Sequence, residues 1–315
     1  MIPAVVLTAG HATRLRPLSL VRAKAVLPLA GRPLVFHILE QLRDAGVADA
    51  VLNLHHLPET ITGRVGDGTA LGIRVRYSWE RIALGSAGGP KRAVPLLGAP
   101  TFLVVNGDTL ASVDIPSLIA HHQATGALVT MAVTPNEQPL KYGGMVATAE
   151  GAVTGVVRRG DTSPSQHFVG VQVVQADAFR TVPADVPWES VGTLYPALIA
   201  EAPGSVRVYT GRGAFHDIGT PQDYLTAALR LGASAGAVAP RHDAGQVVDS
   251  VLWDDVTVGP GTSLTRCIVT DGVDVPAGST WVEQTLRRAD GAAPGAAETR
   301  LGHVIAGPLA PPPRG

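Results

Sequence analysis

The chain has 315 residues, 45% of them hydrophobic and 16% charged, which is enough apolar material for a sizeable core in one large domain, or a domain with an appendage. Its 25 Lys and Arg against 26 Asp and Glu leave a formal charge of −1, and this excludes the broad basic surface that non-specific nucleic-acid or anionic-membrane binding needs. The single cysteine, Cys267, excludes an internal disulfide and a cysteine-built zinc site.

The apolar run Ala4-Val5-Val6-Leu7 ends in a turn-rich stretch and reads as a strand buried on both faces of a parallel sheet. Across 33–45, Leu34, Ile38 and Leu42, with Val35 and Leu39, recur four residues apart, and Gly46 follows as a stop, which predicts a helix. Next come the apolar run Ala50-Val51-Leu52, a short helical stretch after Pro58, and the alternating residues Ile73, Val75 and Tyr77. A helix over about 87–97 and the run Phe102-Leu103-Val104-Val105 follow. Strands alternating with helices predict an open α/β sheet, whose ligands bind beyond the carboxyl ends of the strands.

Beyond Leu128 the strands shorten, with helices over about 195–201 and 221–231. After Gly236 the spacing Leu252, Val258, Leu264, with glycines at 259, 261, 272 and 278, fits two or three coils of a β-helix packed on the main domain, or else an irregular β tail. The Ala/Pro/Gly-rich stretch 291–315 reads as mobile. The expected division is 1–235, 236–285 and 286–315. The N-terminal apolar run is too short for a signal peptide, and nowhere do about 18 uncharged apolar residues follow one another. A cytoplasmic protein without a membrane span is expected, as a monomer or a homo-oligomer.

With so little net charge, phosphate chemistry would have to use locally placed cations, and only three of the basic residues are lysines: Lys24, Lys91 and Lys141. The stretch after the first strand reads Leu7-Thr8-Ala9-Gly10-His11-Ala12-Thr13-Arg14-Leu15-Arg16-Pro17-Leu18, and then Arg22-Ala23-Lys24 through Gly31-Arg32-Pro33. Small residues let backbone N–H groups approach a phosphate chain, and Thr13, Arg14 and Arg16 add a hydroxyl and fixed charge. It is neither a Walker loop nor a dinucleotide fingerprint. In order and spacing it resembles the signature of the sugar-1-phosphate nucleotidyltransferases, in particular their mannose-1-phosphate guanylyltransferase-like members. That pattern runs Leu-x-Ala-Gly-x-Gly-Thr-Arg-Leu-x-Pro-Leu-Thr, then Pro-Lys, then Gly-(Arg/Lys)-Pro. The resemblance implies a Rossmann-like, mixed but mainly parallel sheet flanked by helices, with a short left-handed β-helical tail. It also implies that Leu7, Ala9, Gly10 and Thr13 meet a nucleoside triphosphate, with Arg14 and Lys24 on its phosphates. Ala12 stands where the family has its second glycine, which is costly if the backbone there has positive φ. Ala23 stands where the family has proline, which loosens the loop.

Leu84-Gly85-Ser86-Ala87-Gly88-Gly89 could let a flat base lie on backbone, or could be a helix cap at Ser86; it is similar to the family's Leu-Gly-Thr-Ala-Gly, which implies a base site at Gly85, Ser86, Ala87 and Gly88 and favours guanine. Asp108, after the strand ending at Val105, offers one carboxylate where Mg²⁺ wants one or two plus phosphate oxygens. His216-Asp217-Ile218-Gly219-Thr220-Pro221 resembles the family's Asp-Ile/Val-Gly-Thr-Pro and implies Asp217 as the second. For the sugar phosphate, Lys141-Tyr142-Gly143-Gly144 and Phe168-Val169-Gly170 look like two sugar-contact strands, implying Gly143 and Gly170. Arg158-Arg159 replaces the family's Glu-Lys. Arg159 keeps the charge, but arginine cannot accept a hydrogen bond, so hydroxyl recognition passes to other groups, Glu189 among them. The implied substrates are a nucleoside triphosphate and a sugar 1-phosphate, with GTP and mannose 1-phosphate first. Glucose with UTP or dTTP, then heptose or N-acetylmuramate, come next. A catalytically inactive nucleotide-sugar-binding regulator is the reading from another class.

Overall fold

In the computed structural model, residues 2–211, 215–234 and 245–310 are described. The chain divides into two compact units, one of Met1–Gly10 with Val35–His216, the other of His11–Leu34 with Asp217–Gly315.

The first unit is built on β1 (Ala4–Leu7), α1 (Leu34–Asp44), β2 (Asp49–Leu54), α2 (Pro58–Val65), β3 (Arg74–Trp79), α3 (Gly85–Leu97), β4 (Thr101–Asn106) and α4 (Ile115–Thr125). Strands β4, β1, β2 and β3 lie side by side in that order, all parallel. The apolar runs have no polar alternation because both of their faces are covered: Val5, Val51 and Val104 are fully buried. The chain continues through β5 (Val129–Pro135), β6 (Gly144–Ala147), β7 (Val153–Val157), β8 (Gln166–Gln175), α5 (Tyr195–Glu201) and β9 (Val206–Thr210). Strand β8 adds antiparallel to β4, and β5 and β6 add antiparallel to β8, so the sheet is mixed with helices flanking it.

Helix α1 lies one residue inside its predicted start. Ile38, Leu39 and Leu42 form its buried stripe, and Gly46 closes it at φ +85° with its N–H on the Arg43 carbonyl. Helix α4 opens on Asp114, whose Oδ1 accepts from the Ser117 N–H at 3.0 Å. Among the described residues no helix is long and apolar enough to cross a membrane.

The second unit holds the phosphate-loop stretch, α6 (Pro221–Ser234) and the C-terminal strands. Those strands form coils that repeat every 17 residues: Val251 pairs with Ile268, Thr257 with Asp274, and Leu264 with both Val247 and Trp281, all in parallel. Leu252, Val258 and Leu264, the residues that set the six-residue spacing, pack in the coil interior with Val269, Val275 and Leu286. The β-helical reading therefore stands over the described residues; 236–244 fall outside them. The stretch read as a mobile tail departs from expectation. Thr299–Leu301 and Val304–Pro308 are strands, the latter antiparallel to Gln284–Arg288. Val304, Ile305 and Leu309 are buried: the Ala/Pro/Gly composition conceals a short apolar strand that closes the last coil. Residues 311–315 lie outside the described residues.

Candidate active site

In the first unit, Leu7 and Asp108 lie at the carboxyl ends of two neighbouring parallel strands, β1 and β4. Leu7 ends β1, and Gly107, just past β4, donates its N–H to the Leu7 carbonyl at 2.9 Å. A Cβ on Gly107 would stand 2.5 Å from that same oxygen, so the approach requires glycine. It leaves Asp108 half-buried at the mouth of the β1–β4 pair, with Oδ1 accepting from Thr109 Oγ1 at 3.1 Å. Gly170, on β8, lies against the Asn106 side chain, and Gly143 lies against the backbone of 157–159. The structure thus brings Gly143 and Arg159 together, with the Arg158 and Arg159 side chains exposed.

The turn expected to meet the base opens α3. Gly85 has φ +76°, and a Cβ there would meet Glu189 Oε1 and the Trp188 carbonyl, each at 2.8 Å. Ser86 does not cap the helix. Its Oγ donates to Glu189 Oε2 at 2.7 Å and accepts from the Ser190 N–H at 2.8 Å. The N–H groups of Ala87 and Gly88 both bond the Trp188 carbonyl, at 2.8 and 3.2 Å. Glu189, expected on the sugar side, is thus hydrogen-bonded to Ser86, and the peptide donors at 87 and 88 hold the 188–190 segment in place.

Two residues beneath these loops carried no expectation from the sequence. Asn53, 3% exposed at the end of β2, accepts from the Thr8 N–H at 2.6 Å and the Ala9 N–H at 3.3 Å, and donates to Glu80 Oε1 at 2.7 Å. Thr8 Oγ1 in turn donates to the Asn53 carbonyl. Glu80 accepts at its other oxygen from the Leu84 N–H at 2.8 Å. Burial pushes the Glu80 carboxyl above its ordinary value, against the two hydrogen bonds that lower it. This buried relay joins the turn after β1 to the turn before α3, so the two loops share one support.

In the second unit, short helical turns over Thr13–Leu15, Leu18–Leu20 and Lys24–Val26 fold the loop back on itself. Leu15, Leu18, Val26 and Leu27 are buried, Thr13 and Arg14 are exposed, and Lys24 is 9% exposed. Ala12 sits at φ +47°, ψ +45°, so alanine holds a left-handed conformation that costs an L-residue about 1–2 kcal/mol. Ala12→Gly relieves the Cβ clash but adds unfolded-state entropy; a net gain of about 0.5–1 kcal/mol in unfolding free energy is expected by urea denaturation, and a loss instead would show that the loop tolerates the methyl. Ala23, fully buried at φ −58°, ψ 143°, takes the shape a proline would impose without the ring that fixes it. Asp217 lies half-buried beside Gly219, where a Cβ would stand 3.2 and 3.3 Å from its carboxylate oxygens and 3.3 Å from Asp223 Oδ2. Thr220 Oγ1 accepts from the Asp223 N–H at 3.1 Å, capping α6, and donates to Asp223 Oδ2 at 2.9 Å.

Among the described residues no cluster of three or more His, Cys, Asp or Glu forms a metal cage. Single half-buried carboxylates fit Mg²⁺, which keeps several waters and takes one or two carboxylates plus substrate phosphate oxygens.

A family model described as nucleotidyl transferase matches residues 3–234. The chain is 29% identical over 294 residues to mannose-1-phosphate guanylyltransferase of Mycobacterium tuberculosis (strain ATCC 25618 / H37Rv), covering 88% of this chain and 82% of that protein. It is also 29% identical over 293 residues to mannose-1-phosphate guanylyltransferase 1 of Arabidopsis thaliana, covering 86% and 78%. Among solved structures, HddC from Yersinia pseudotuberculosis, known alone and complexed with GMP-PN, superposes with a TM-score of 0.64 at 23% identity, covering 73% of this chain and 99% of that one. This last likeness bears on the fold.

Proposed function

Because the chain belongs to the nucleotidyl transferase family, we propose that it transfers the GMP portion of GTP to mannose 1-phosphate, giving GDP-mannose and pyrophosphate. The observation that carries this reading is the convergence at the end of β1. The first half of the signature leaves that strand, and the neighbouring β4 delivers Asp108 through a glycine packed on the Leu7 carbonyl. The names of the guanylyltransferase relatives support the choice of base and sugar.

An oxygen of the sugar phosphate attacks the α-phosphorus in line, the new P–O bond forms, and the bridging α–β bond breaks with its electrons leaving on pyrophosphate. No covalent enzyme intermediate is required, so the chain's task is positioning and charge neutralisation. Arg14 and Lys24 take the charge that develops on pyrophosphate. Arg159 and the backbone at Gly143 hold the incoming phosphate, and Gly170 shapes the sugar side. The Gly85–Ser86 peptide, with Glu189 locked on Ser86, forms the platform for the base, while Ala87 and Gly88 brace it. Asp108 and Asp217 would hold Mg²⁺, whose charge offsets the repulsion between the two reacting phosphates.

A pyrophosphate-release screen of five nucleoside triphosphates against a panel of sugar 1-phosphates, with and without Mg²⁺, tests the reading. GTP with mannose 1-phosphate is expected to be fastest, and only with Mg²⁺ present. A faster pair of UTP or dTTP with glucose 1-phosphate would reassign the substrates. No release from any pair would overturn the enzymatic reading in favour of a nucleotide-sugar-binding regulator, the function that the strained Ala12 and the missing glutamate at Arg158 would then suit.

A further inference from the structure

Arg22 lies two residues before Lys24 and has no part in the reaction above, yet its side chain is only 3% exposed. Within the second unit its Nε donates to Asp271 Oδ2 at 2.6 Å, and its Nη2 donates to Asp254 Oδ2 at 2.7 Å and to Asp271 Oδ1. The guanidinium carbon stands 5.1 Å from the centre of the Trp253 ring. Asp254 and Asp271 are 17 residues apart, following the in-register pair Val251 and Ile268, so two successive coils offer equivalent acids to one cation. Trp253 Nε1 donates to the Tyr224 hydroxyl at 3.0 Å, and that hydroxyl donates to the Pro28 carbonyl at 2.7 Å. Lys24 is therefore bracketed by two tethers, at positions 22 and 28, both leading to the C-terminal half of the unit.

We propose that Arg22 is a positioning residue for the triphosphate lysine: the β-helical coils, through Asp254, Asp271 and Trp253, set the backbone of 22–24 and so the place of the Lys24 ammonium. The inference rests on the nucleotidyl transfer reading and adds to it a role for the coils. A guanidinium cannot shed its charge on burial, so it is buried only when its planar fork meets carboxylates in matching geometry. That requirement makes the docked loop sharply defined. It also accounts for Ala23. Where the family fixes this backbone with a proline ring, here the same shape is fixed from one residue earlier by side-chain bonds.

Arg22→Met keeps the stem's bulk and removes the fork. Asp254 and Asp271 have side chains 55% and 32% exposed, so water can take over their bonds when the fork is removed. Asp254→Asn removes one bond from the exposed side and serves as the milder variant wherever Arg22→Met fails to melt cooperatively. Two readouts are taken. In steady-state pyrophosphate release, KM for GTP rises on the order of 10–100-fold in Arg22→Met, the scale set by misplacing one charged group, while KM for mannose 1-phosphate stays near its starting value. In nucleotide-free protein, acetylation by an amine-reactive reagent, followed by mass spectrometry, labels Lys24 several-fold faster than in the parent, with Lys91 and Lys141 unchanged as internal references. A folded variant that labels Lys24 at the parental rate, or raises both KM values alike, overturns the proposal. If the parent protein releases no pyrophosphate from any substrate pair, the reaction assignment has failed, and the labelling comparison alone decides whether Arg22 places Lys24.

Discussion

Asp108→Asn and Lys24→Ala are each expected to lower turnover by two or more orders of magnitude, the usual consequence of removing a preorganised charge from a transition state, while leaving the protein folded. Asn at 108 retains an oxygen to accept from Thr109 Oγ1 and fits the same half-buried turn, so only the negative charge is lost. At 24 the case is different in kind. The side chain is nearly buried, and the desolvation cost of an ammonium offsets much of what its contacts contribute to stability. Its removal should therefore cost activity far more than it costs folding. Pyrophosphate release at saturating substrate, alongside circular-dichroism melting, separates the two effects. Near-parental turnover in either folded variant would sink the assignment of that residue.

The second large effect falls on stability. Asn53→Ala removes a 3% exposed side chain that serves the Thr8 and Ala9 N–H groups and Glu80 Oε1 together. Leaving such groups buried without partners costs roughly 2–4 kcal/mol, readable as a lower midpoint in urea. The loss should depend on pH. The Glu80 carboxyl already lies above its ordinary value of 4.5 in the folded protein. Its contribution is therefore fully present below 4.5 and is lost as pH rises through the raised folded value. Asn53→Ala deletes a hydrogen bond that favours the ionised form, so the decline extends to higher pH in the variant. A urea midpoint equal to the parent's at both pH 5 and pH 8 would show that the relay carries no such weight.

Much of the first unit was legible because unbroken apolar runs at β1, β2 and β4 and the four-residue spacing in α1 each encode a local fact about burial. The stretch from Leu7 to Pro33 was legible as a family signature for a similar reason, since its cations and small residues lie in one short run. The relay was not. Asn53 meets Thr8 and Glu80 across 45 and 27 residues, and nothing local marks a polar residue that will be buried by partners so distant. Backbone shape was equally hidden: Ala12 and Ala23 are the same residue type, yet one takes a left-handed conformation and the other a proline-like one. In the C-terminal coils the inward residues showed their six-residue beat, whereas the 17-residue turn that aligns Asp254 with Asp271 emerges only when the coils stack.

A stack of parallel coils has an inherent weakness: its terminal rung presents a row of bare peptide groups on which another chain could extend the sheet. Here Gln284–Arg288 is instead met by the antiparallel strand Val304–Pro308, and among the described residues that strand is followed in the sheet by the three-residue, exposed Thr299–Leu301 with Arg300 at its centre. The reversal of direction, the shortness and the charge all discourage edge-to-edge growth. The last described strands thus act as a stopper on the sheet that ends at Gln284–Arg288, a guard against edge-to-edge self-association on that side.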